Sequence, residues 1–375
     1  MNNNILYIGY YNDVEITKEN RRCVLSAVNK IKYICSALNN IGINIEIVSM
    51  SESANKNYYK GKKIQISDQV NLRLFSSVGR LTKVTNVLNR AWMRLKLFCY
   101  LLKVKKNQDV IVYHSLGYLK TVAFAKKLKK FKLIVEVEEI YGDVSGSKKI
   151  REKEMRFFKN ADAYIFPTEL LNGKINTKNK PYAIIHGTYN VEPVLTTQFN
   201  DGKIHCVYAG TFDPRKGGAA AAVAGLFLNS NYHIHIIGFG SENDKKMLIN
   251  AIEEVSKKTE CKVTYDGCLS GEAYLKFIQK CHIGLSTQNP NAAFNDTSFP
   301  SKILSYMANG LRVVSVRIPA IEGSAIGKYM YYYDEQTPEK IAQAIKQVDI
   351  GDDYDSRKII AQLDEKFQRE VCGLL

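Results

Sequence analysis

Short apolar runs of strand length alternate with longer stretches of helical spacing along nearly the whole chain, and this alternation most constrains the fold. A chain that repeats strand and helix returns each strand parallel to the last, because the helix carries it back across the sheet. In the first half, strand-like runs fall at 5–10, 43–49, 110–114, 133–137, 163–166 and 182–186. Helical patterns fall at 19–39, 81–106, 118–129 and 148–160, and the polar stretch 52–71 reads as a loop. Residues 187–203, with Pro193 and two glycines, have no clear period and read as an interdomain linker. The alternation then restarts, with strands at 204–209, 233–238, 262–266, 283–286 and 312–316. Helices are expected at 217–227, 242–258, 271–280, 301–308, 338–348 and 355–368. The expected fold is α/β, with two Rossmann-like doubly wound domains, 1–190 and 203–350, facing a cleft at the carboxyl ends of their strands. A terminal helix in 351–375 is expected to return to the first domain.

The 375 residues, 45% of them hydrophobic, suffice for two cores. The start carries no basic segment followed by a long apolar run, so no signal peptide is read. The apolar stretch from Leu97 to Leu102, flanked by Lys96 and Lys103, is far below the roughly 20 residues of a membrane span. Eight cysteines form no C-x-x-C pair and have no histidines at zinc spacing. Reduced, buried thiols in a soluble cytoplasmic protein are expected. Charge is distributed unevenly. Residues 1–200 hold 33 Lys and Arg against 16 Asp and Glu, while 201–375 hold 20 against 21. Between Lys56 and Lys132 lie 19 basic residues and two acidic ones, Asp68 and Asp109. A chain basic in one half only suggests a surface facing something anionic, such as lipid headgroups or a polyphosphate.

Three segments carry chemistry. In Val207-Tyr-Ala-Gly-Thr-Phe-Asp-Pro-Arg-Lys-Gly-Gly218 a strand ends at Gly210 and Lys216 stands just before a Gly-Gly helix start. That places an ammonium and free N–H groups where the helix dipole also favours an anion, and a diphosphate is a natural occupant. A tight strand-to-helix turn with Lys216 in solvent is the plainer alternative. The second segment, Ile236-Ile-Gly-Phe-Gly240, runs a strand into a Gly-x-Gly turn and lacks the third glycine of a dinucleotide fingerprint. In the third, Asn295-Asp-Thr-Ser-Phe-Pro-Ser-Lys-Ile-Leu-Ser-Tyr-Met-Ala-Asn-Gly310, Pro300 and Ser301 suit a helix start. Lys302 in its first turn opposes the helix dipole, which suggests an anionic ligand rather than folding as its purpose.

The order strand-G-x5-K-G-G, then G-x-G, then F-P-S-K-x-x-x-Y-M-A-x-G before an apolar strand resembles the donor domain of family-4-like GT-B glycosyltransferases, over about 201–335. The resemblance implies a UDP-, GDP- or similar nucleotide-sugar donor. Gly210, Thr211, Arg215, Lys216, Gly217, Gly238, Gly240, Asp296, Ser298, Phe299, Pro300, Ser301, Lys302 and Ser305 would line its site. Lys216 would meet the diphosphate, and the turn from Asp266 to Ser270 would lie near the base. No bound metal or other cofactor is implied, because a lysine and a helix N-terminus neutralise the leaving diphosphate. The chain departs from the family at three places. Thr211 stands where an arginine is usual, with Arg215 nearby as a substitute. The Glu-x7-Glu pair falls on Thr297 and Ser305, with Asp296 one residue out of register. Glu138-Glu139 stand where a His-Asp pair is common.

In the first half, Lys132-Leu-Ile-Val-Glu-Val-Glu-Glu-Ile-Tyr141 is a buried-strand pattern ending in carboxylates. Buried and unpaired, such acids are costly, so they face either a cleft or a basic partner. Tyr10, His114, Glu138 and Glu139 are the acceptor-binding candidates, with Glu138 as a base and Lys216 as the other catalytic group. A structural ion pair to nearby lysines and a satisfied structural histidine are the bland counterparts. Asp353-Tyr-Asp355 matches a metal-binding D-x-D but precedes a helix, where acids act as N-caps. On 81–106 an apolar stripe of Leu81, Val84, Leu88, Trp92, Leu95, Phe98, Cys99 and Leu102 is fringed by Arg and Lys. It suits either an anionic bilayer or packing on the sheet. Nucleic-acid binding lacks an accompanying module.

The expected function is transfer of a sugar, with retention, from a nucleotide-sugar donor to a glycan or lipid-linked acceptor in surface polysaccharide synthesis, peripheral to the inner face of a membrane. A nucleotide-sugar epimerase or hydrolase, or a silent homologue serving as a partner subunit, are the alternatives.

Overall fold

The computed structural model describes residues 4–292, 295 and 298–375. It divides into two compact units, 1–188 with 366–375, and 189–365.

The first unit runs β1 (Asn4–Gly9), α1 (Val14–Thr17), α2 (Leu25–Asn40), β2 (Asn44–Ser49), β3 (Lys62–Ser67), β4 (Val70–Leu74) and α3 (Lys83–Leu101). It continues through β5 (Asp109–Tyr113), α4 (Leu119–Lys129), β6 (Lys132–Glu136), α5 (Tyr141–Val144), α6 (Lys148–Phe158), β7 (Ala163–Phe166), α7 (Glu169–Ile175) and β8 (Tyr182–Ile184). The strands form one sheet in the order β3-β4-β2-β1-β5-β6-β7-β8, parallel except for β3. The chain steps from β1 to β2 on one side and returns to β5 on the other, so the topological switch point lies between β1 and β5. Its interior is apolar: Ile8, Val110, Val112, Leu133 and Val135 are sealed beneath Leu97, Val122 and Phe158.

The second unit runs β9 (Ile204–Thr211), α8 (Gly218–Val223), β10 (Tyr232–Phe239), α9 (Glu242–Ser256), β11 (Lys262–Tyr265), α10 (Gly271–Lys280) and β12 (Ile283–Ser286). Then follow α11 (Ser301–Ala308), β13 (Arg312–Val316), α12 (Pro319–Glu322), β14 (Met330–Tyr333), α13 (Pro338–Lys346) and α14 (Ser356–Gly373). Its sheet has the order β11-β10-β9-β12-β13-β14, with every pairing parallel, and its switch point lies between β9 and β12. The end of α14 belongs to the first unit, where Phe367 stacks on Tyr33 and the Glu370 carboxylate accepts the Ile184 N–H.

Several sequence expectations give way. The polar stretch 52–71 is not a loop throughout: it contains β3 and the start of β4. In β3 only Ile64 and Ile66 are apolar; two lysines, Gln65 and Ser67 fill the other positions, as suits an edge strand that must not recruit another chain. The helix expected from 19 begins at Leu25, because Arg21 instead bridges to Ser53 and bonds the carbonyls of Ser51 and Phe75. The helix expected over 217–227 breaks after Val223 into a tighter turn, where Gly225 lies against Val263. The linker is tethered from 192 onward: Glu192, Leu195 and Phe199 donate backbone N–H groups to Ala308, Gln279 and Lys280, and the Pro193 carbonyl accepts from Gln279. On α3 the stripe, which suited either a bilayer or the sheet, points outward over most of its length. Asn89, Met93, Leu97 and Leu101 face the core, while Leu81, Val84, Leu88, Trp92 and Leu95 are each about half exposed or more. Asp355 does act as an N-cap, accepting the Lys358 N–H. All eight cysteines are free; Cys23, Cys99 and Cys268 are exposed rather than buried.

Candidate active site

In the second unit, the carboxyl ends of β9 and β12 flank the switch point, where open α/β sheets bind ligands. The turn after β9 is built around Gly217, whose φ of +86° and contact with β12 both demand glycine: a Cβ there would lie 1.7 Å from the Thr287 carbonyl oxygen. Thr287 Oγ1 donates to the Gly217 carbonyl at 2.7 Å, locking the turn to the next strand. Gly238 has the same purpose one strand over, since its Cβ would meet the Gly210 carbonyl at 1.8 Å. Gly240 lies against Phe212. The three glycine-marked positions of the sequence reading therefore let backbones approach one another at one sheet edge.

α11 is fixed beside this turn by Tyr306, which is fully buried. Its hydroxyl accepts the Ala209 N–H at 2.8 Å and donates to the Leu285 carbonyl at 3.3 Å, stitching the helix to β9 and β12. Phe299 is buried, Ser298 and Pro300 are partly exposed, and Ser301 opens the helix in solvent. Lys302 turns back from the first turn. Its stem is partly exposed, but its Nζ is buried 3.9 Å from the Tyr208 ring centroid, with no hydrogen-bond partner among the described residues. Burial pushes its pKa down to about 7, and the charge of Lys216 pushes the same way. Burial also lowers the pKa of Lys216, against the pull of Asp213. A desolvated ammonium facing a ring and a second lysine is costly unless an anion joins it.

Other donor candidates divide. Arg215 is committed to Asp213, whose carboxylate takes its guanidinium at 2.6 Å, and its side chain stays 70% exposed. Thr211 offers its carbonyl to the Tyr208 hydroxyl at 2.8 Å. Ser305 Oγ lies 3.2 Å from the Tyr274 hydroxyl, a tyrosine the sequence reading passed over. Asp296 and Thr297 lie outside the described residues. Tyr208 and Thr287 were also missed: one lies within a strand pattern and the other directly after one, where burial explains both, so the sequence offers no separate signal for a ligand.

In the first unit the acids are compensated internally. Lys30 of α2 forms an ion pair with Glu138 and donates to the Ile185 carbonyl at 3.2 Å. Glu136, which the sequence reading quoted but did not single out, is fully buried with the Tyr7 hydroxyl donating to it. Burial pushes its pKa up to about 8, opposed by Lys30 and reinforced by Glu138. Burial and then Glu138 raise Glu139 as well. His114 is 1% exposed, stacked on Tyr141 at 5.0 Å and packed against the tilted ring of Phe158 at 4.9 Å. Burial drives its pKa down to about 3, so it is a neutral ring. Its Nε2 is 3.3 Å from Glu154 Oε1 without hydrogen-bond alignment, and Glu154 is held by the Tyr141 and Gly142 N–H groups. That is a packing role, and a neutral His114 has no ion pair to offer. Tyr10 is half-buried beside Tyr118, at 5.6 Å between centroids.

No family model matches the chain, and no curated protein matches it in sequence. Solved structures do match. The lipopolysaccharide outer core galactosyltransferase WaaB is 15% identical, with 99% of this chain and 98% of that one covered at a TM-score of 0.66. The sucrose-phosphate synthase of Thermosynechococcus elongatus is 13% identical, covering 99% and 94% at 0.63. A trehalose-6-phosphate structure from E. coli bound with UDP-2-fluoro glucose is 10% identical, covering 99% and 98% at 0.65. Identities this low establish architecture: the chain has the GT-B fold of glycosyltransferases, with a parallel Rossmann-like sheet in each of its two units.

Proposed function

We propose that this protein is a glycosyltransferase that binds a UDP- or GDP-linked sugar in its second unit and passes the sugar to a glycan or lipid-linked acceptor held by the first. The observation that carries the reading is Lys302, a buried ammonium with no partner among the described residues, beside Lys216 at the switch point. Two lysines at that place suit a nucleoside diphosphate and its departure, with no metal needed to neutralise it. The matched galactosyltransferase acts on lipopolysaccharide, which supports a role in surface glycan assembly. Retention of configuration is part of the same reading.

Calorimetry with UDP, GDP, CDP and ADP tests it. One of them binds, and Lys216→Ala weakens it by roughly 1–3 kcal/mol. Binding of none of the four sinks the proposal. Release of nucleotide from the donor sugar without any acceptor would assign a hydrolase instead.

A peripheral membrane position is the second part of the proposal. No helix among the described residues is long and apolar enough to cross a membrane. α3, however, exposes Val84, Val87, Leu88, Trp92 and Leu95 amid Lys83, Arg90 and Arg94. Phe98 of α3 stacks on Phe124 of α4, and Phe124 and Leu128 are themselves about half exposed. Phe124 also lines an open cavity of about 950 Å³ together with Lys120, Lys126, Lys127, Lys130, Lys132 and Asp162. Apolar side chains ringed by cations suit an anionic bilayer surface. Trp92 is the sole tryptophan, so its fluorescence reports docking directly. Vesicles containing anionic lipid should shift its emission to the blue, salt should reverse the shift, and Leu88→Glu should abolish it. An unchanged spectrum would remove the membrane from the reading.

A further inference from the structure

Four of the six histidines gather at the opposite end of the second sheet from the donor turn. His205 is the second residue of β9, and His233 is the second of β10 and its register partner. His235, two residues on, shares the face of His233. Spacing along the sequence could not reveal this, because the parallel register makes the neighbours. All three are buried, at 2%, 7% and 3% exposure. One ligand atom from each lies within 4.8 Å of the others.

The outer nitrogens of these rings are taken. His205 Nε2 is 2.9 Å from Asp201, His235 Nδ1 is 3.0 Å from Asp266, and His233 Nε2 is 3.0 Å from Thr264 Oγ1. A carboxylate only accepts, so Asp201 and Asp266 each hold a ring N–H and fix the tautomer. The inner nitrogens, His205 Nδ1 and His235 Nε2, then present lone pairs to each other across 2.9 Å. Two acceptors at that distance repel unless a proton or a cation joins them. His282 is excluded as a fourth ligand at Nδ1, which already accepts the His205 N–H at 3.0 Å.

We propose that His205, His233 and His235 bind a divalent transition-metal ion of the zinc class through their inner nitrogens. Three imidazoles with a fourth position open is a zinc-type ligand set, and the rings would draw together from their present spacing to make bonds of about 2.0–2.1 Å. Asp201, Asp266 and Thr264 orient the rings from outside, as partners of metal-bound histidines do. Phe199, stacked at 4.1 Å on His205, and Phe277, edge-on to His235 at 5.2 Å, shield the site. The ion would pin β9 to β10 and, through Asp201, to the segment preceding β9. The proposal does not rest on the donor reading; Asp266 also opens the turn expected near the donor base, so metal uptake is measured directly and not through nucleotide binding.

The test uses untagged full-length protein, stripped with chelator and titrated with Zn2+ against a chromophoric competitor and with Co2+ by visible absorption. One equivalent should bind with a submicromolar dissociation constant, give the intense bands of low-coordinate Co2+, and raise the melting temperature. His235→Gln should weaken binding at least about 100-fold. Asp266→Asn, which keeps all three ligands, should weaken it about 10–100-fold and serves if the first variant does not fold. Wild-type protein that takes up less than one equivalent overturns the proposal. So does uptake unchanged in His235→Gln or, where that variant does not fold, in Asp266→Asn.

Discussion

The switch points of the two sheets handle charge in opposite ways. In the first unit, three acids have an internal answer: Glu138 has Lys30, Glu136 has Tyr7 and its own proton, and Glu154 has two backbone N–H groups; Glu139 beside them is raised by burial and by Glu138. In the second, Lys302 is buried against Tyr208 with another lysine as its electrostatic neighbour. A compensated region is stable as it stands and presents neutral hydrogen-bonding groups, which suits sugar hydroxyls. A buried cation with no hydrogen-bond partner among the described residues stores an unfavourable term that an arriving anion removes. This difference is why the proposed function puts the diphosphate in the second unit, even though the first carries the surplus of positive charge.

The largest effect should come from the turn that holds the second switch point together. Gly217→Ala forces φ of +86° on an alanine and drives its Cβ into the Thr287 carbonyl. We expect a loss of roughly 3 kcal/mol or more in chemical denaturation of the second unit. An alanine variant as stable as the parent would mean that the turn tolerates a different path and that its geometry does not define the site.

Lys302→Met separates ligand binding from folding. It keeps the stem and removes the desolvated charge, so the melting temperature should rise while nucleoside diphosphate affinity falls by roughly 1–3 kcal/mol. The pH dependence is signed. The free protein releases the Lys302 proton near pH 7, and a bound diphosphate raises that pKa, so binding takes up a proton above pH 7. Calorimetric affinity should therefore be flat below about pH 7 and weaken as pH rises beyond it. A decline that persists in Lys302→Met would assign it to another group.

How much of this was legible in the sequence follows from what each signal depends on. The strand and helix alternation depends on local periodicity, so most elements were placed, and the departures came where long-range contacts intervene. Arg21 delays α2 by bonding two distant carbonyls, and β3 hides its strand beneath lysines because an edge needs them. The outward face of α3 was visible as a stripe, but period alone cannot say which of two apolar faces the sheet takes. Lys302 was legible as an oddity against the helix dipole; that its ammonium is sealed over Tyr208 required the packing. The histidine cluster and the Lys30–Glu138 pair join residues 30 and 108 positions apart, beyond any spacing rule.

A smaller effect tests the compensated region. Glu136 holds its proton up to about pH 8 in the folded protein, whereas an unfolded glutamate releases it near 4.3. The sign follows directly: the folded state binds the proton more tightly, so this contribution is complete below about pH 4.3 and is lost as pH rises to about 8. Glu136→Gln mimics the protonated form at every pH. Its stability should match the parent at acid pH and exceed it at pH 8 and above, measured by denaturant midpoint. A parent whose midpoint does not fall across this range would show that Lys30 compensates Glu136 as an anion, and that the first unit carries a buried negative charge after all.

The smallest effect concerns Arg215, the residue nominated to replace the family's arginine. Its guanidinium is held by Asp213 at the surface, and an exposed pair of this kind contributes little to stability. Arg215→Ala should leave the melting temperature unchanged, and the comparison above predicts that it changes nucleotide affinity far less than Lys302→Met. The physical reason is desolvation: an exposed cation already paired with a carboxylate gains little from a phosphate, whereas a buried one gains a partner it lacks. A loss of affinity on Arg215→Ala equal to that of Lys302→Met would mean that Asp213 releases the guanidinium to the ligand. The second switch point would then resemble the first, with its charge compensated until the substrate arrives.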